Sequence, residues 1–219
     1  MHNITLVSTI HSERGKCNSN EFFQIITSIN PDVIFEEVCP ELFDRFYKKY
    51  DIPIEIEPLE IKAVKRYLQG HDIKHFPVDI EPDPNRTMRD IEYMFHSFKK
   101  YAVYKKLEDE QCRMTESGGF SFLNSKRFTQ ILEEKKMIEL RLLEFIMNRT
   151  KLSNIYKLFY EEQDNRENKW LQNIYDYSKE HSYDTAIFYC GASHRESIMQ
   201  KIHKYEKEGN FKLNWTFYE

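Results

Sequence analysis

The chain has 219 residues, enough for one substantial hydrophobic core and too few for two independent domains. Its 32 basic and 36 acidic residues give a net charge of −4, so no overall basic field exists to gather phosphates, and nucleic acid is not an expected partner. No run of about 18 apolar residues occurs, which speaks against a membrane partner. The start, Met1-His-Asn-Ile-Thr, carries no basic region ahead of an apolar stretch and no cleavage site, so a cytoplasmic location is expected.

In chain order, the apolar run from Ile4 to Ile10 reads as a buried strand, and it ends at His11. Asn20 to Ile29 reads as a helix with Asn18 or Ser19 as cap. Val33 to Val38 is a second strand that closes with paired carboxylates, Glu36 and Glu37. Strand, helix and strand in that order make a right-handed βαβ unit. A charged helix over 41–50 follows, then a proline-bearing stretch, then a helix from Glu60 to Gln69 that Gly70 ends. Lys74 to Asp79 reads as a third strand that brings Asp79 to the same edge.

Residues 87–182 are almost wholly helical in pattern, with breaks expected near 117–119 and 148–153. Within them Ile131, Leu132, Ile138, Leu142, Leu143 and Ile146 give an amphipathic face, as in a helical cover. Thr185 to Cys190 is the last central strand, followed by Gly191-Ala-Ser-His194, a helix over 193–205 and an edge strand over 211–218. The fold expected is α/β: a single domain, 1–219, with a central, mostly parallel sheet flanked by helices and a large helical insertion, 87–182, before the last central strand.

Both strands that end in histidine carry a small residue, Ser8 or Gly191, three places before it. If they lie parallel in one sheet, both imidazoles emerge at its carboxyl edge, where open α/β sheets bind their ligands. Glu36, Glu37 and Asp79 would meet them there. Imidazole and carboxylate together suit a divalent ion such as Zn²⁺, Mn²⁺ or Co²⁺, and they equally suit a histidine base oriented by a carboxylate without metal. Six glycines assemble neither GxGxxG nor GxxxxGK[ST], so a phosphate loop is not expected. No GxSxG elbow occurs either. The cysteines at 17, 39, 112 and 190 form no CxxC pair and read as reduced structural thiols.

Several short motifs run in a characteristic order: Ser8-Thr-Ile-His11, Pro31-Asp-Val-Ile-Phe-Glu-Glu-Val-Cys-Pro40, a glutamate opening the next helix at Glu60, Asp79 on the next strand, Thr87 with Arg89, Arg166 on the helix before the last strand, and Gly191-Ala-Ser-His194. This order resembles the superfamily of TraB/PrgY, Tiki and erythromycin-esterase-like proteins, which includes haem-binding ChaN-type members. The chain departs from it in having Ser8 for the first glycine and Leu42 where an arginine often follows. The resemblance implies a sheet-edge site used for metal-dependent peptide cleavage, metal-free ester hydrolysis or haem binding, so fold does not fix function.

The reading that follows is a hydrolase of a small-molecule or peptide substrate. His11, Glu37 and His194 would bind a divalent ion or position a water, Glu36 or Asp79 would act as general base, and Arg89 or Arg166 would face the developing oxyanion. The rival is a binding protein that holds a small apolar ligand or haem beneath the aromatic insertion. The insertion would serve in addition as a surface for a homo-oligomer or another partner.

Overall fold

The two histidine-bearing runs pair with each other at the centre of the fold. In the computed structural model, which describes residues 2–47, 57–81 and 87–219, β1 (Asn3–Thr9) lies parallel to β4 (Thr185–Gly191), with Asn3 opposite Thr185 and Thr9 opposite Gly191. β2 (Val33–Glu36), β3 (Lys74–Pro77) and β5 (Asn214–Phe217) complete one sheet in the order β3-β2-β4-β1-β5, and every neighbouring pair is parallel. The end of the 41–50 helix, the 51–56 part of the proline-bearing stretch and most of the loop expected after Glu81 lie outside the described residues.

Both faces of the sheet are covered, which is why the strands read as continuous apolar runs and not as alternating ones. Val7, Ile34 and Ile187 pack beneath α1 (Ser19–Ile29) and α3 (Leu59–Leu68). Leu6, Phe35 and Phe188 pack on the other side beneath α7 (Arg149–Glu180) and α8 (Arg195–Glu208), with Trp170 wholly buried among them. The helix after β1 thus lies on one face and the helix after β4 on the opposite face. The carboxyl ends of these adjacent strands flank the crevice where the winding reverses, the usual ligand position in such sheets.

Local signals explain the helix ends. Asn18 caps α1 by accepting from the amides of Asn20 and Glu21, and Asn30 closes it in the left-handed region. At the ends of α3 and α7 a histidine stacks on the tyrosine one turn earlier: Tyr67 with His71 at 3.9 Å and Tyr177 with His181 at 4.1 Å between ring centroids. Each imidazole Nδ1 donates to that tyrosine's carbonyl, which also accepts a backbone amide, from Gly70 at Tyr67 and from His181 at Tyr177.

Between β3 and β4 run α4 (Met88–Lys99), α5 (Ala102–Leu123), α6 (Lys126–Phe145) and α7. The break expected near 117–119 is a kink inside α5 at Gly119 (φ 60°, ψ −142°), and the turn itself comes at Asn124 and Ser125. The break at Asn148 occurs (φ 61°), after which 149–180 form one continuous helix. A further break at Lys100–Tyr101 carries no glycine or proline and was not legible. Gly119 is bent because it receives the loop after His11. Gly15, at φ 55°, presses so close to the Glu116 carbonyl that a Cβ there would stand 2.3 Å from it, and the Lys16 amide donates to the same carbonyl at 2.9 Å.

Of the expected apolar face, Ile131, Leu142 and Ile146 are buried. Leu107, Phe120, Phe128 and Ile131 join the core above the sheet, whereas Met94, Phe98, Tyr104 and Tyr156 form a separate cluster in which the aromatic rings bury one another. In that cluster Glu139 is buried and accepts from the Tyr104 and Tyr160 hydroxyls at 2.9 and 3.2 Å. Among the described residues no helix is long and apolar enough to cross a membrane.

Candidate functional site

The carboxyl rim of the sheet gathers four carboxylates with buried side chains into two walls. On one wall β1 ends at Thr9, whose hydroxyl donates to Glu60 Oε1 at 2.7 Å from the first turn of α3. His11 follows, with Nδ1 3.4 Å from the same oxygen and its backbone carbonyl taking the Leu59 amide. Glu60 is 2% exposed, while the His11 side chain is 67% exposed.

The second wall forms where β2, β3 and β4 end beneath α7. Arg166 donates from Nε to Asp79 Oδ1 at 3.1 Å and from Nη2 to Asp79 Oδ2 at 2.6 Å, and the same Nη2 reaches Glu37 Oε1 at 3.0 Å. Trp170, one turn along α7, gives its indole N–H to Asp79 Oδ1 at 2.6 Å. Glu37 Oε2 accepts the Gly191 amide at 2.5 Å. A short 3₁₀ turn over Ala192–His194 then swings the chain into α8, so that His194 faces α7. Its Nδ1 contacts Glu167 Oε1 at 2.6 Å, and its Nε2 stands 3.8 Å from Glu37 Oε1. Ser197 and Lys201, from α8, donate to Glu167 Oε2 at 2.5 and 2.6 Å.

These neighbours set the protonation states. Hydrogen bonding to Glu60 raises the His11 pKa to about 9; burial opposes this, and the charges of Glu60 and Glu37 add to it. The ring is largely open to water, which screens the effect and leaves its direction intact. Burial pushes Glu167 upward, but donors from His194, Lys201 and Ser197 outweigh it and hold the carboxyl below its usual range. An ionised Glu167 can only accept, so His194 Nδ1 donates in this contact and Nε2 is the ring nitrogen turned toward Glu37.

Of the residues expected from sequence, Glu37, Asp79, Arg166, Gly191 and His194 meet on one wall, and His11 and Glu60 stand on the other. Glu36 lies elsewhere: it is wholly buried, its Oε2 accepts the hydroxyls of Tyr47 and Tyr189, both at 2.6 Å, and its Oε1 meets His75 Nδ1 at 2.7 Å. Wholly buried, with both oxygens held by three side-chain donors, it is closed to a reacting water, and the role of general base does not fit it. Asp79 is likewise saturated, by Arg166, Trp170 and the Ile80 amide. Arg89 is exposed on the first turn of α4 and makes no contact with either wall among the described residues.

The Ser8 backbone is held by Asn124: its amide donates to Asn124 Oδ1 at 2.8 Å and its carbonyl accepts Asn124 Nδ2 at 3.1 Å. Gly191 (φ −54°) is not required by backbone conformation. A Cβ there would meet Glu37 Oε2 and His194 Cδ2 at an ordinary 3.5 Å.

As arranged, the donors do not form a metal cage. Both oxygens of Glu37 are engaged, one by a guanidinium, and His11 carries a proton toward Glu60. Among the described residues no group of three or more His, Cys, Asp or Glu is placed to hold a metal ion.

Glu167, Thr9, Trp170 and Lys201 were missed from sequence. Glu167 had a readable signal: it lies three and four residues before Trp170 and Leu171, on the buried face of α7, where a carboxylate needs a partner.

No protein-family model, curated protein or solved structure matches this chain. The site therefore has to be interpreted from its own geometry.

Proposed function

We propose that the rim is the active site of a hydrolase that opens an ester or peptide bond with a histidine-activated water. The observation that carries this is the His194–Glu167 pair, 2.6 Å apart, at the point where the sheet reverses its winding and opposite the His11–Glu60 pair. Glu167 fixes the imidazole and supports its positive charge, the orienting role of the acid in a catalytic triad.

Glu37 Oε1 and His194 Nε2 are near enough for one water to hydrogen-bond to both. In the reaction that water attacks the substrate carbonyl and loses a proton to Nε2, while its oxygen forms the new bond to carbon. His11, protonated at neutral pH, and the remaining N–H of Arg166 Nη1 face the oxygen that gains charge. When the intermediate collapses, the bond to the leaving group breaks and His194 returns the proton to it. Every step is completed by groups of this chain. The motif order shared with erythromycin-esterase-like proteins, whose ester hydrolysis is metal-free, agrees with this reading.

The test is hydrolysis of a 4-nitrophenyl ester by the purified protein, compared with His194→Ala and Glu167→Gln. General-base catalysis of this kind contributes about 10²- to 10⁴-fold, and His194→Ala should lose an amount in that range. A rate that His194→Ala leaves untouched, or that a chelator abolishes in the wild type, overturns the proposal.

A further inference from the structure

The four carboxylates of the rim and the nearby Glu36 differ in one respect. Both oxygens of Glu36, Glu37, Asp79 and Glu167 have donors: tyrosines and His75 on the first, Arg166 and the Gly191 amide on the second, Arg166 and Trp170 on the third, and His194, Ser197 and Lys201 on the last. Glu60 is as deeply buried as these, yet among the described residues only Oε1 is engaged, and Oε2 has no hydrogen-bond partner. A buried charged acceptor left without a donor is costly and uncommon, and in a crevice it marks the place where a ligand supplies one.

The charge of that ligand follows from the surroundings. Among the described residues, Glu37, Asp79, Glu167 and Glu60 face Arg166, Lys201 and an imidazolium at His11, so these side chains carry an excess of negative charge. A donor that brings a positive charge satisfies both the oxygen and the excess.

We infer that Glu60 Oε2 receives the protonated amino group of the substrate, so that the rim acts on esters or amides of amino-bearing acyl groups. This rests on the hydrolytic reading only for the reaction that follows binding; the docking of the amine is independent of it. His11 shares the carboxylate and is exposed, so an arriving ammonium competes with it for Glu60 and lowers its hold on its proton. Binding at one oxygen is thereby reported by the imidazole at the other.

Three ligands of one shape separate the alternatives: alaninamide with an amine, lactamide with a hydroxyl and propionamide with neither. Each is titrated into the wild type at pH 7 while the His11 ring is followed by nitrogen-15 NMR. Alaninamide is expected to shift His11 and lower its pKa, and to bind about 10- to 100-fold more tightly than lactamide, the usual strength of a hydrogen bond to a charged group. The response should vanish in Glu60→Gln.

Equal binding of lactamide or propionamide, an unmoved His11, or a response that persists in Glu60→Gln overturns the inference. The three-ligand comparison needs only the wild type, so it stands even if the variant fails to fold. A protein that binds alaninamide in this way yet hydrolyses no ester retains the amine site and loses the hydrolytic reading. One that hydrolyses simple esters while ignoring the amine does the reverse.

Discussion

Arg166 grips Asp79 through two parallel hydrogen bonds, 3.1 and 2.6 Å long, that join the middle of α7 to the end of the third strand's segment. The fork is planar and its donors are fixed, so lysine cannot reproduce it. Arg166→Lys keeps the charge but leaves Asp79 or Glu37 short of a donor. It should cost about 1–3 kcal/mol in urea unfolding, and Arg166→Met, which strands both carboxylates, about 3–5 kcal/mol. Equal stability of the lysine variant would show that charge alone matters here.

His11 predicts a pH dependence with a definite sign. Its pKa is raised from 6.5 to about 9 in the folded protein, so the native state holds a proton that the unfolded chain releases earlier. The stabilisation is complete below pH 6.5 and is lost as pH rises through about 9. The unfolding temperature of His11→Gln should therefore fall below that of the wild type at pH 6 and converge with it at pH 10. A gap that widens with pH would contradict the Glu60 pairing. Glu167 has the opposite sign: its depressed pKa supplies stability at neutral pH that fades on acidification.

Glu36 separates architecture from chemistry. Tyr47, Tyr189 and His75 all direct donors at it. Glu36→Gln presents an NH₂ group to one of these donors and should lower stability by about 1–3 kcal/mol in denaturant unfolding. The accompanying loss of near-ultraviolet circular dichroism would come from the two tyrosines it releases. An unchanged midpoint would mean that the network carries no weight.

Asn124 acts as a substitute strand residue. β5 ends at Phe217, and where it stops the carboxamide of Asn124 takes over the amide and carbonyl of Ser8 and accepts from buried Arg195 at 2.9 Å. Asn124→Ala takes the partner from the Ser8 amide and carbonyl and from Arg195 Nη1, while Arg195 Nη2 keeps the Tyr218 carbonyl, and should destabilise by about 3–5 kcal/mol. Hydrogen exchange of the Ser8 amide should quicken more than that of Leu6, which is held by β4 and β5 alike. Uniform change across β1 would rule out this local role.

How much of this was legible depended on where the signal lay. The strands, their parallel pairing, the central position of the histidine-ended pair and the helical block before β4 were readable, because apolar runs and helix caps are local. The rim residues that close a strand were found for the same reason. Glu36 was misassigned because adjacent residues on a strand point to opposite sides. Sequence shows that Glu36 and Glu37 are neighbours and does not show which one Tyr47 and Tyr189 enclose. The partners of His194 and Ser8 lie on α7 and α5, far away in sequence, and only packing brings them in. A break near 117–119 was legible from Gly118-Gly119, yet its purpose, receiving the loop after His11, needed the fold.

The pairing of Asn3 with Thr185 and of Thr9 with Gly191 has a consequence for biosynthesis. β1 leaves the ribosome early, but its central partner follows only after the whole helical block has been made. Until then β1 has neither neighbour, since β5 comes later still. A nascent chain can form the helices of the block from nearby contacts, while the centre of the sheet waits for a pairing that reaches across the whole block and bears the cost of closing that loop. Glu37 and Asp79 are thus made well before Arg166 and His194, and the two walls of the crevice meet only once β4 has been added.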